Sequence, residues 1–191
     1  MNYLEQPLAD FLDSVASGEP APGGGAVAAI AVTLAAGLCS MAAHLSAGHL
    51  AEVAERSERL RQRVAPLAQE DATAYGRVLA AYRTPDDGDP AARQERIRSA
   101  LSGATDVPLA IAETGAVVAE MAARLAREGN PNLRGDAVAA ALLAEAGTRA
   151  AAVLVEINTT AGGIADDRLD RVGEFVARAG GAARGLVESE G

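Results

Sequence analysis

Lysine and tryptophan are missing altogether from the 191 residues, which hold one cysteine, two histidines, two phenylalanines and three tyrosines. Each shortage removes a class of function. A lone Cys39 excludes an internal disulfide and any cysteine-rich zinc site. His44 and His49 are five apart, share no helical face and have no acid at ligand spacing, so no metal is expected. Every one of the 17 basic residues is arginine, against 26 acidic ones, for a net charge of −9. Without a cluster of positive charge the chain is not suited to a nucleic-acid backbone. The first twenty residues have acids interspersed and no basic start, so no export signal is read and a cytoplasmic location is expected.

What remains is alanine. It supplies 46 residues, while aromatics make up 3%. A core of small side chains suits helices whose backbones approach closely, not sheets, which want β-branched and aromatic faces. Twenty glycines without a three-residue period exclude collagen. The stretch AVAAIAVTLAAGLCSMAA, Ala26 to Ala43, has the length of a membrane span but lacks basic or aromatic anchors. It reads as a central helix surrounded by other helices, with no membrane partner.

The punctuation predicts an all-α, up-and-down bundle of about five or six long helices in a single domain over residues 1–191. Leu4, Leu8, Phe11, Leu12 and Val15 mark a short amphipathic helix. The breaker APGGG precedes a helix over Gly24 to Ser46. From Glu52 to Tyr82 one helical period runs Leu60, Val64, Leu67, Tyr75, Val78, Tyr82, and Asp71 fills the empty slot on that stripe. After a loop at Thr84 to Pro90, a helix from Ile97 to Leu125 is expected to kink or break near Gly103 to Val107, ahead of Pro108. REGNPNLRG separates it from a stripe that begins at Asp136 and ends at Ile157. A last helix, Leu169 to Leu186, ends in a polar tail. Alanine and glycine faces this extensive call for a homo-oligomer.

Chemistry concentrates in few places. Gly23, Gly24 and Gly25, after Pro22, open a helix whose first N–H groups have no partner. They suit either an anion or a tight turn at a helix crossing. Asp71 is costly to bury unless paired or neutralised, which fits a proton-transfer group or a buried ion pair. Asp136 can cap its helix or face a cleft with Asn130 and Asn132. Asn158 lies about 33 Å from Asp136 by helix rise, so a single pocket of one subunit cannot use both.

The opening PLADFLDSVASGEPAPGGGAVAAIAVTLAAGL, the pair Asp71 and Tyr75, and GNPNLRGDAVAAALLAEAG with Ile157-Asn158 resemble the cyclodeaminase/cyclohydrolase family. That family includes the C-terminal domain of formiminotransferase-cyclodeaminase and stand-alone methenyltetrahydrofolate cyclohydrolases. The resemblance implies a helical dimer with a groove and a tetrahydrofolate derivative as substrate, without a metal. Members hydrolyse the methenyl bridge between N5 and N10, or close it from 5-formiminotetrahydrofolate with loss of ammonia. It assigns substrate binding to Pro22, Gly23, Gly24, Gly25, Asn130, Asn132 and Asn158, and proton transfer to Asp136 or Asp71. The chain departs from the family at Gly48 to Glu52, where members carry a lysine run, at Tyr82 to Pro85, and at Leu154, where members carry an asparagine. An enzyme of the same scaffold acting on a non-folate cyclic or amidine-like substrate, or a non-catalytic helical oligomer, are the competing readings.

Overall fold

The computed structural model describes residues 2–85 and 88–187. The described residues form α1 (Leu8–Ala16), α2 (Gly24–His44), α3 (Ala51–Val64), α4 (Leu67–Arg83), α5 (Pro90–Glu128), α6 (Arg134–Gly162) and α7 (Arg168–Val187), with single 3-10 turns at Gly48–Leu50 and Pro131–Leu133. No strand occurs among them, and the chain is all-α. The predicted loop at Thr84 to Pro90 falls partly, and the predicted polar tail wholly, outside the described residues.

Two element boundaries differ from the periodic reading. The helix expected from Glu52 to Tyr82 is two helices, α3 and α4. Pro66 has no N–H for the carbonyl of Gln62, and the ladder restarts with the amides of Gln69 and Glu70 on the Pro66 carbonyl. The two pieces keep one direction: Gly37 of α2 faces Arg61, and Gly25 faces Asp71, so α3 and α4 together run antiparallel to α2. Pro108, by contrast, does not interrupt α5, which continues for 39 residues. On the polar side Glu52 pairs across to Arg124 at 3.0 Å.

The core is a seam between α2, α5 and α6. Val32 is its knob: a Cβ at Gly115 would stand 3.2 Å from a Val32 methyl, and one at Gly147 would stand 2.6 Å from the same methyl. A Cβ at Gly115 would also collide with Thr148, and one at Gly147 would lie 3.1 Å from the Ala28 carbonyl. Glycine therefore appears where two helix backbones close on one valine, and buried alanines such as Ala35, Ala112, Ala119, Ala140 and Ala144 extend the seam. Ten of the 21 residues of α2 are buried, Cys39 among them. Burial pushes the Cys39 thiol up to about 12, and its Sγ points at the Val118 carbonyl. It is a packing residue with an inert thiol.

On α2 and α6 small side chains face inward and larger ones are left outside. Along α2 the positions Val27, Ala31, Leu34, Leu38, Met41 and Leu45 repeat in steps of four and three. Leu34 is 58% exposed, and Leu143, Val153 and Ile157 of neighbouring α6 are exposed with it. The longest helix is α5, whose buried residues all lie between Leu101 and Leu125, and the exposed apolar face belongs to α2 and α6 and is built from Leu, Val, Met and Ile.

Gly147→Ala places its methyl into the Val32 contact and should cost about 1–3 kcal/mol by overpacking. Gly76→Ala, with nothing within 4 Å of the new methyl on the exposed side of α4, should stabilise by about 0.5–1 kcal/mol through helix propensity. Paired melting curves check both: Tm falls for the first and rises for the second, by about 2–4 °C per kcal/mol.

Candidate active site

The N-terminus of α2 cannot cap itself. Its N-cap residue is Gly23, with no side chain to accept from the first turn. The acceptor comes from another helix: the Ala26 amide, at the third helical position, donates to the carboxylate of Asp71 on α4. This contact also explains Gly25, since a Cβ there would fall on the Asp71 carboxylate. The Gly24 Cβ direction is open. Pro22 is buried behind this segment.

Asp71 sits on the stripe of Leu67, Ala74 and Val78, half-buried. Burial raises its pKa above the ordinary carboxylate range, and the Ala26 hydrogen bond offsets part of that rise. Among the described residues, no arginine is hydrogen-bonded or ion-paired to Asp71. Tyr75 and Tyr82, predicted on the buried stripe, are instead 43% and 45% exposed. Helical rotation puts Tyr75 beside the stripe, at the mouth of a cavity.

That cavity, about 290 Å³, is walled by Gly23 to Gly25, Asp71, Tyr75, Leu154 and Asn158. Ala104 of α5 forms its remaining side, and the Asn158 Nδ2 donates to the Ala104 carbonyl at 3.1 Å. A larger open groove of about 680 Å³ between α4 and α5 shares Ala104 and presents Arg77 and Arg96. The groove has charge for anchoring a ligand. The smaller cavity holds the perturbed carboxylate, a helix N-terminus and an amide, which is the set that can do chemistry.

The other predicted site residues lie at the opposite end of α2 and α6. Asn130 is committed to the backbone: its Nδ2 donates to the Leu45 carbonyl at 3.0 Å and its Oδ1 accepts from the Asn132 amide at 3.0 Å. Asn132 is exposed, and Asp136 is half-buried in the first turn of α6. Within one chain, then, the glycine segment meets Asp71 and Asn158 and does not meet Asn130, Asn132 or Asp136. His44 holds its own helix, with Nδ1 2.8 Å from the Ser40 carbonyl oxygen, and no group of three metal-ligating side chains occurs among the described residues.

Sequence reasoning did not anticipate Ala104 or Tyr3. Ala104 offers only its backbone carbonyl, which leaves no trace in residue type. Tyr3 joins through the N-terminal segment. Its amide donates to Gln69 Oε1 at 3.3 Å, its ring meets Phe11 edge-on at 5.6 Å, and its phenol pKa is raised by burial and by the Asp71 charge.

Gly25→Ala forces its methyl against the Asp71 carboxylate and should lower Tm while displacing that carboxylate. Gly24→Ala, whose methyl meets nothing within 4 Å, should keep the wild-type Tm. A melting temperature for Gly25→Ala equal to that of Gly24→Ala would contradict the close contact.

This arrangement has known counterparts. The sequence model of the formiminotransferase-cyclodeaminase family matches residues 7–170. The chain is 36% identical to the methenyltetrahydrofolate cyclohydrolase of Methylorubrum extorquens, over 96% of this chain and 95% of that protein. It is 35% identical to the formimidoyltransferase-cyclodeaminase of Sus scrofa over 82% of this chain, which corresponds to 31% of that longer protein. Its fold superposes on the crystal structure of formiminotetrahydrofolate cyclodeaminase from Thermotoga maritima with a TM-score of 0.85, at 27% identity, covering 97% and 96% of the two chains. On sequence over nearly its whole length and on fold, the chain belongs to the formiminotransferase-cyclodeaminase family.

Proposed function

We propose that the chain is a folate-dependent one-carbon enzyme that hydrolyses 5,10-methenyltetrahydrofolate, with Asp71 as its proton-transfer group. The carrying observation is the half-buried Asp71 carboxylate, paired with no arginine among the described residues, on the wall of a cavity that also presents the α2 N-terminus and Asn158. The methenyl carbon is an amidinium centre between N5 and N10. A water oxygen adds to it and one water proton passes to the Asp71 carboxylate. The tetrahedral carbon then collapses, its bond to N5 breaks, and Asp71 returns the proton to N5. The hydroxyl proton leaves to solvent and the formyl group remains on N10. Cyclisation of 5-formiminotetrahydrofolate passes through a carbon of the same kind with ammonia as leaving group. The full-length similarity to a cyclohydrolase favours hydrolysis.

The cavity is at the low end of ligand-site volumes, which are about 300–1,000 Å³. It suits the reacting part of a folate, with the carboxylate tail lying outside, along the groove that carries Arg77 and Arg96. Because no lysine run is present, long polyglutamate tails add little affinity, each exposed ion pair contributing about 0–1 kcal/mol.

The exposed face of α2 and α6 supports a homodimer. Antiparallel pairing across a two-fold axis on that face sets Asp136 and Asn132 of the partner subunit against the Asp71 cavity. Under this reading the enzyme works in the cytoplasm with no metal.

Asp71→Asn keeps an acceptor for the Ala26 amide and removes the proton carrier. Turnover, followed by loss of methenyl absorbance, should fall by at least about 10²-fold. Because burial raises the Asp71 pKa, the wild type loses stability as pH rises from the ordinary carboxylate value to the raised one, and stays level above it. The Tm advantage of Asp71→Asn should therefore be absent in acid and present at neutral pH. Over the same range wild-type kcat/KM should rise as the carboxylate forms. A variant that loses Tm at neutral pH yet still turns over substrate would retire the assignment.

Mixing tests the shared site. Asp71→Asn and Asp136→Asn should each be inactive alone, and subunit exchange between them should restore about a quarter of wild-type activity, because one intact site forms in each mixed dimer. An active Asp136→Asn variant would remove the partner's Asp136 from the reaction.

A further inference from the structure

Pro108 is fully buried in the middle of α5, a position where proline removes a hydrogen bond and ordinarily breaks a helix. Here the helix continues, and the cost appears at one atom. The carbonyl that residue 108 would normally engage belongs to Ala104, four residues earlier, and proline has no N–H to donate to it. Ala104 lines the candidate cavity, and its carbonyl accepts from Asn158 Nδ2 at 3.1 Å.

We infer that Pro108 is a positioning residue: by withholding its N–H from Ala104 it leaves a carbonyl that fixes which way the Asn158 amide faces the reacting carbon. The Ala104 carbonyl only accepts, so the nitrogen of Asn158 must turn toward α5. The Oδ1 then faces away from that carbonyl and accepts nothing from the described residues, while one Nδ2 proton stays unused. An acceptor held this way, on the cavity that Asp71 also lines, can hold the second proton of an attacking water while Asp71 takes the first. If the amide turned over, it would present only donors to that water and leave an oxygen facing a carbonyl.

On its own helix the neighbours of Asn158 that face the cavity are apolar. Leu154 lies one turn before it, and Ile157 precedes it on the cavity wall. Among the described residues the Asn158 amide makes one hydrogen bond, to the Ala104 carbonyl, and that bond sets its orientation. The segment just beyond is held separately: Arg168, itself buried, donates to the Ser102 carbonyl and to Asp106 at 2.9 Å each and to both oxygens of Asp166. Releasing the Ala104 bond therefore leaves the α6–α7 connection tied to α5.

This inference rests on the folate reading for its activity arm and on geometry for its spectroscopic arm. Pro108→Ala returns an N–H to the Ala104 carbonyl. Its Tm should be unchanged or higher, its kcat should fall about tenfold with KM changed little, and its Asn158 side-chain amide signal, identified by its disappearance in Asn158→Asp, should shift. The double variant Pro108→Ala, Asn158→Ala should be no slower than Asn158→Ala alone, because the two act through one amide. Asn158→Asp, which cannot donate to Ala104, should be slower than Asn158→Ala. Wild-type kcat in Pro108→Ala, losses that multiply in the double variant, or an unshifted Asn158 amide signal would each overturn the positioning role. Absence of turnover in the wild-type protein, with the amide signal still shifting in Pro108→Ala, would overturn the folate reading alone.

Discussion

The close approach of three helix backbones at Val32 governs this molecule. Gly115 and Gly147 lack side chains where α5 and α6 close on that valine, and alanines continue the contact along both seams. Once α2, α5 and α6 are held at this separation, everything at their lower end follows. Ala104 reaches Asn158, and the start of α2 comes within hydrogen-bonding reach of α4. A larger residue at either glycine would wedge the helices apart and pull the cavity walls with them. The small side chains are thus the condition for the site as well as for the core.

Stability and chemistry meet at the α2 N-terminus. A helix that begins in glycine gives up a capping side chain and gains a backbone that a ligand or another helix can touch. Here it is the Asp71 carboxylate that touches it, taking the cap's place from a different helix. The same burial that makes this cap intimate makes the carboxylate reluctant to ionise. One contact therefore serves as a helix cap and as a tuned acid, which is why Gly25 tolerates no Cβ.

The α2/α6 surface carries a different logic. Inside, the helices use alanine and glycine to come close; outside, they present Leu, Val, Met and Ile with a heptad-like spacing. The cavity opens at one end of this face and the Asn130–Asp136 segment lies at the other. Two ends of a helix about 33 Å apart by rise cannot serve one reacting carbon within a chain. In the proposed homodimer, a two-fold related copy would remove that obstacle by exchanging the ends.

The helical class, the small-residue packing, the breaker positions and the family were legible in the amino-acid order, because periodicity, alanine content and Gly-Pro punctuation are local properties. Asp71 stood out for the same reason, as a charge in an apolar slot. The break at Pro66 was not read, because the unbroken period across it concealed the change from one helix to two, although the missing N–H of Pro66 marks it. The continuity of α5 through Pro108 was not, since that depends on a tertiary environment able to satisfy the Ala104 carbonyl. Nor was the grouping of the site. Asp71 and Asn158 are 87 positions apart, and only the packing of α4 and α6 around α2 brings them to one cavity. Residue order determines which faces seek burial; which carboxylate meets which backbone amide is decided by distances between helices, and those exist only once the helices have packed.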